Sequence, residues 1–96
     1  MTPDSMARMA AVQRKFPSRC RDERAQLGSV TSLTEDELRR VGQTAHKIAG
    51  LAGTLGFRNL GDAAAQLDNQ IAKHADVGLP LERYIEELDN VLRDAE

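Results

Sequence analysis

Ninety-six residues, 41% of them hydrophobic, can build one small domain and leave no room for a second. Aromatic residues make up 3% of the chain and Trp is absent, while Ala, Leu and charged residues are plentiful, a balance that favours helices packed through aliphatic side chains. A net charge of -2 and a pI near 5.7 argue against a nucleic-acid binder, which would carry a basic surplus and aromatics to stack on bases.

The remaining exclusions are equally direct. Cys20 has no second cysteine to pair with, and two histidines fall short of a zinc ligand set, so no metal site is expected and a reducing cytoplasm fits best. No apolar run approaches the roughly 20 residues of a membrane span. The opening MTPDSMARMAAV lacks the apolar segment of a signal peptide. Charge is uneven: residues 1 to 30 hold six Lys/Arg against three Asp/Glu, and the rest holds seven against twelve, which reads as two solvated surfaces.

In chain order, Asp4 to Phe16 places Met6, Met9, Ala10, Val12 and Phe16 on one helical face. Pro17 interrupts it, and Ser18 to Leu27 continues with Cys20, Ala25 and Leu27 as sparse apolar positions, which predicts a kinked helix or two short ones. Gly28 to Ser32 reads as a loop. Thr34 and Glu37 then form a capping box, with Leu33 and Leu38 as its hydrophobic staple and Glu35, Asp36 and Glu37 at the positive end of the helix dipole. That helix is expected over 35–55. Gly56 is placed to end it in a left-handed conformation, and the next helix, about 58–75, carries Leu60, Ala63, Ala64, Leu67 and Ile71 on one face. After Gly78, the last helix is expected from about Pro80 to Asp94, with Leu81, Tyr84, Ile85, Leu88, Val91 and Leu92 as its stripe. Short connections imply an all-α, antiparallel four-helix bundle.

The helix over 35–55 carries the informative pattern. Leu38, Val41, Ala45, Ile48, Ala52 and Leu55 step by three or four residues and define its buried seam. His46 is one residue off that seam, about 100° round the helix, held by the bundle yet facing water. Gly42, Gln43, Ala49, Gly50 and Gly53 share its face. Two interior glycines, Gly42 and Gly50, cost roughly 2 kcal/mol relative to Ala, so something must compensate. Either they let another helix approach, or they clear space around the imidazole. A lone histidine is usually a surface or satisfied core residue, and His74 fits that description. The clearing sets His46 apart: an exposed imidazole on a rigid helix can act as a nucleophile and accept a phosphoryl group.

Asp68 joins it by geometry. If the two central helices turn near Phe57, His46 and Asp68 are each eleven residues from the turn and stand at similar heights. A carboxylate there would fix the imidazole tautomer and leave the other nitrogen free.

The run Ala45-His46-Lys47-Ile48-Ala49-Gly50-Leu51-Ala52-Gly53-Thr54-Leu55-Gly56-Phe57, followed by Leu60 and Leu67-Asp68, resembles the histidine-containing phosphotransfer domain. Its hallmark is a His, then any residue, an apolar residue, often a Lys, and a Gly. The resemblance extends over essentially the whole chain. It implies that His46 is phosphorylated on its outer ring nitrogen, that Gly50 gives a receiver domain room to dock, and that Asp68 occupies a position where members often hold a carboxylate or amide. Ala49 stands where many members have Lys, and Lys47, the residue after His46, projects about 100° away from the imidazole.

The resemblance further implies a phosphocarrier rather than an autonomous enzyme, exchanging phosphate with an aspartate of response-regulator receiver domains and working beside a hybrid sensor histidine kinase. No cofactor of its own is expected, and Mg²⁺ would sit on the receiver. A monomer is expected. Two other readings stand beside this one: an interaction module that has lost relay chemistry, and a structural bundle that self-associates through its glycine face. Gly50 to Gly56 is not a nucleotide loop, since it follows a helix and lacks the G-K-[ST] ending. Glu86, Glu87 and Asp89 fall on different helix faces and read as solvated surface.

Overall fold

A computed structural model of the chain describes residues 3–29 and 33–95, with side-chain environments from Arg14 onward. The expected face of Met6, Met9, Ala10 and Val12, and most of the Gly28–Ser32 loop, lie outside the described side chains. The described residues form α1 (Pro3–Gly28), α2 (Glu35–Leu55), α3 (Arg58–Ala72) and α4 (Gly78–Asp94), with no strand among them. No helix among the described residues is long and apolar enough to cross a membrane.

α1 is one helix with Pro17 inside it, so the split into two short helices does not occur. An interior Pro costs about 3 kcal/mol through its missing N–H and ring clash. Phe16 and Cys20 flank it at 2% and 0% exposure, and burying a Phe side chain alone returns roughly 1.5–3 kcal/mol. The core therefore holds the helix together across the break. The buried face is Phe16, Cys20, Glu23 and Leu27, spaced by four, three and four residues. Ala25 is exposed, contrary to expectation: the seam passes through Glu23, and a residue two further on points to the far side.

α2 begins where Thr34 Oγ1 accepts the Glu37 N–H at 3.2 Å, and three acids occupy its first turn. Leu33 stays 46% exposed. Gly56 closes the helix with φ 89°, and its N–H and that of Phe57 both donate to the Ala52 carbonyl. α3 stops at Ala72, three residues earlier than the pattern suggested. The chain turns left-handed at His74, φ 54°, where the His74 N–H bonds the Ile71 carbonyl and the Ala75 N–H bonds the Gln70 carbonyl. This is a Schellman closure with His in the place glycine usually takes. α4 starts two residues before Pro80 because Asp76 Oδ1 accepts the Gly78 N–H at 2.9 Å. Pro80 falls in the first turn, where its lost N–H would have had no helical partner.

α2 packs most extensively on α3, α3 on α4 and α1 on α4, while α1 touches α2 only slightly. Val41, Ala45, Ile48 and Ala52 meet Leu60, Ala64 and Leu67, and the cluster continues through Tyr84, Leu88 and Val91 to Phe16 and Cys20. Two glycines set how closely α2 and α3 approach. A Cβ at Gly61 would lie 3.5 Å from the Gly53 nitrogen, and one at Gly42 would lie 3.3 Å from Ile71 Cγ2. Phe16 and Phe57 stack with ring centroids 4.9 Å apart, joining α1 to the turn between α2 and α3.

The contact of α1 with α4 has a polar centre. Tyr84 Oη donates to Glu23 Oε2 at 3.0 Å, and Arg24 bonds Asp89 at 2.9 Å beside it. Burial pushes the Glu23 carboxyl above its ordinary range, and the Tyr84 hydrogen bond offsets only part of that. Burial, together with the Glu23 charge, also raises the Cys20 thiol to about 11 and pushes the Tyr84 hydroxyl upward. Cys20 is thus a packing residue, with little thiolate at neutral pH.

Candidate functional site

Ala45 and Leu67 are fully buried on facing helices, and the next residue on each, His46 and Asp68, emerges at the shoulder of the α2–α3 contact. The two side chains are 79% and 32% exposed, and His46 Nδ1 stands 2.9 Å from Asp68 Oδ2. A carboxylate oxygen only accepts, so Nδ1 carries the hydrogen and donates it. In the neutral ring that leaves the Nε2 lone pair unprotonated. The result is a nucleophilic nitrogen aimed outward and a ring whose rotation is restrained by its partner.

Helical side chains lean towards their own N-terminus, so the imidazole lies over the turn that holds Gly42 and Gln43 rather than the turn that holds Gly50. An open groove of about 680 Å³ follows that direction, with Arg39, Gly42, Gln43 and Lys47 of α2 along one wall and Asp68, Ile71 and Ala72 of α3 along the other. A neighbouring groove of about 350 Å³, which includes Leu38 and Val77, shares Arg39, Ile71 and Ala72 with it.

The small residues picked out by sequence divide into two groups. Gly42 is buried against Ile71 and serves close helix packing. Ala49 is half-buried, and its carbonyl lies 3.6 Å from where a Cβ on Gly61 would stand. Gly50 and Gly53 are exposed, with nothing within 4 Å of an added Cβ. Gln43 and Lys47 are exposed on the groove rim. Gly42 therefore serves the approach of α3, while Gly50 and Gly53 leave open surface on α2.

Sequence reasoning missed Arg39, Ile71 and Ala72 as groove residues. Arg39 had a signal: it precedes His46 by seven residues, two turns away on the same face. His74 is exposed at the end of α3 and lines only the neighbouring groove. No cluster of three or more His, Cys, Asp or Glu suited to a metal ion occurs among the described residues.

The family model for the Hpt domain matches residues 6–96. No curated protein and no solved structure matches the chain.

Proposed function

Since the chain belongs to the Hpt domain family, whose members carry out histidine phosphotransfer in phosphorelays, we propose that His46 is the phosphoryl carrier and exchanges its group with the aspartate of a response-regulator receiver domain. The observation that carries this reading is the bond between His46 Nδ1 and Asp68 Oδ2 beneath an outward-facing Nε2. In the forward step the Nε2 lone pair forms the N–P bond as the P–O bond to the aspartyl carboxylate breaks. The leaving carboxylate takes the electron pair, and no proton moves. The phosphorylated ring keeps its Nδ1 hydrogen and so becomes cationic. Asp68 faces that developing charge with an oxygen already in hydrogen-bond contact, a stabilisation present before the reaction begins. The reverse step passes the group to another receiver, and a phosphoramidate of this kind is a good donor because the cationic imidazole departs as a neutral ring.

His46 supplies a nucleophile but no set of carboxylates for a divalent ion, so Mg²⁺ belongs on the receiver, where it would neutralise phosphoryl charge. A hybrid sensor histidine kinase is the natural upstream partner. Docking uses the α2 face around His46: Gly50 and Gly53 leave it flat, and Gln43, Lys47 and Ala49 border it. The paired contacts of α2 with α3, Gly42 with Ile71, His46 with Asp68 and Gly53 with Gly61, support an antiparallel bundle. A local bend at Pro17 within α1, a monomeric state and a cytoplasmic location complete the reading.

The test is incubation with phosphorylated receiver domains followed by mapping of the labelled residue. Label should be acid-labile, base-stable and confined to His46, and His46→Gln should abolish it. Undiminished labelling of that variant would defeat the proposal. A parent protein that binds receivers but takes no label would instead be a docking module without relay chemistry.

A further inference from the structure

The groove beside His46 carries a charge pattern that neither the imidazole nor its carboxylate partner requires. Arg39 and Lys47 are the two cations in its lining, and Asp68 is the one carboxylate there, already engaged with His46 Nδ1. The groove thus has positive charge to spare at the place towards which the imidazole leans. Arg39 lies about 10 Å along the helix axis from His46, at 1.5 Å per residue, and on the N-terminal side, where the ring points.

Its own tether is slight. Arg39 Nη1 approaches Asp36 Oδ1 at 3.8 Å, with the two side chains 70% and 90% exposed. Such exposed pairs hold a side chain weakly, so the guanidinium can turn into the groove at little cost. A phosphoryl group on Nε2 would bring two negative charges and three acceptor oxygens to the mouth of that groove. A guanidinium matches such an oxyanion with parallel N–H donors, and charge-assisted bonds of this kind are about twice as strong as neutral ones.

Resting on the assignment of His46 as phosphoryl carrier, we infer that Arg39 is a further positioning residue of the site: it turns into the groove and hydrogen-bonds the phosphoryl oxygens during transfer. Lys47 contributes a second, less directional charge from the opposite end of the same wall. The groove is therefore a phosphoryl pocket on this chain, and the partner's surface closes over it.

A small phosphodonor separates this from a contact with the partner protein. With phosphoramidate, the P–N bond to ammonia breaks as the Nε2–P bond forms, ammonia leaves, and no receiver surface is present. The parent chain, Arg39→Gln, Arg39→Lys and, as a control on another face, Arg40→Gln would each be labelled by phosphoramidate and by a phosphorylated receiver, with thermal melts alongside. Arg39→Gln should be labelled about tenfold more slowly by both donors, the loss expected for one charge-assisted hydrogen bond. Arg39→Lys should recover part of the rate, Arg40→Gln should match the parent, and all four melts should agree. Parental labelling of Arg39→Gln by phosphoramidate would overturn the inference, as would a defect seen only with the receiver, since that would place Arg39 against the partner. A parent chain that takes label from neither donor would remove the His46 assignment itself, and the role of Arg39 with it.

Discussion

On the proposed reading Asp68 has two roles toward His46: it holds the hydrogen on Nδ1, and it would face the positive charge that the ring acquires with a phosphoryl group. These roles separate by substitution. Asp68→Ala removes both and should slow transfer by roughly 10- to 100-fold, the range for a hydrogen bond to a charged group. Asp68→Asn keeps an oxygen for the Nδ1 hydrogen but no charge, so its rate should fall between Ala and parent. Both proteins should melt like the parent, because the pair lies at the exposed shoulder of the helix contact. Unchanged rates in both would show that the bond is incidental. His74 offers a second residue-scale case, away from the site. Its left-handed backbone, φ 54°, is a conformation that costs an L side chain roughly 1 kcal/mol and a glycine far less. His74→Gly should therefore stabilise the protein by up to about 1 kcal/mol, or roughly 4–8 °C in melting temperature for a domain of this size. A lower melting temperature would show that the imidazole makes contacts worth more than the strain.

At the scale of the element, α2 carries two glycines with opposite physics. A side chain at Gly50 meets open space, whereas one at Gly42 meets Ile71. Gly50→Ala should gain up to about 1 kcal/mol of helix propensity. Gly50→Leu should fold as well as the parent but transfer more slowly with receivers, since a branched side chain one turn from His46 would stand on the proposed docking face. Gly42→Leu should lose roughly 1–3 kcal/mol by overpacking against α3. Thermal melts beside transfer assays decide the matter: an unstable Gly50→Leu protein, or a stable one that transfers at the parental rate, would refute the docking role. Periodicity placed both glycines on the face of His46. It had no means to say which of them α3 covers, because that depends on the crossing of two helices rather than on the spacing along one.

For the whole molecule, the telling feature is that α1 joins the rest chiefly through α4, with a buried acid at the joint. The Glu23 carboxyl has its folded pKa raised above its ordinary value of 4.5, mainly by burial. A raised acid costs the fold nothing while it is protonated in both states. As pH climbs past 4.5 and on through the folded pKa, the unfolded chain releases its proton first and stability is lost. The Tyr84 hydrogen bond offsets only part of this, and Arg24 is engaged with Asp89. Glu23→Gln keeps an acceptor for the Tyr84 hydroxyl and cannot ionise. Urea melts at pH 4 and pH 8 should therefore show the variant gaining stability over the parent as pH rises, with the difference opening above 4.5. A difference that is constant with pH would mean that Glu23 remains protonated, or is satisfied when charged.

Local chemistry determined the helices themselves. Thr34 with its three following acids starts α2, Gly56 ends it, and the apolar spacing of Val41, Ala45, Ile48 and Ala52 marks the face that is buried. These are interactions within a turn or two of chain, and they are legible one residue at a time. The same spacing put His46 on a shoulder, and a count from the Phe57 turn put Asp68 opposite it, because two helices joined by a short turn have little freedom of register. Tertiary structure decided the rest. It carried α1 through Pro17, since burial of Phe16 and Cys20 outweighs a local defect. It drew Glu23 into the core in place of Ala25, because the partner surface on α4 offers a hydroxyl there. It also divided the small residues around His46 into those that let α3 approach and those that remain exposed. Each of these outcomes depends on what lies across an interface, and a single strand of sequence does not contain its own neighbours.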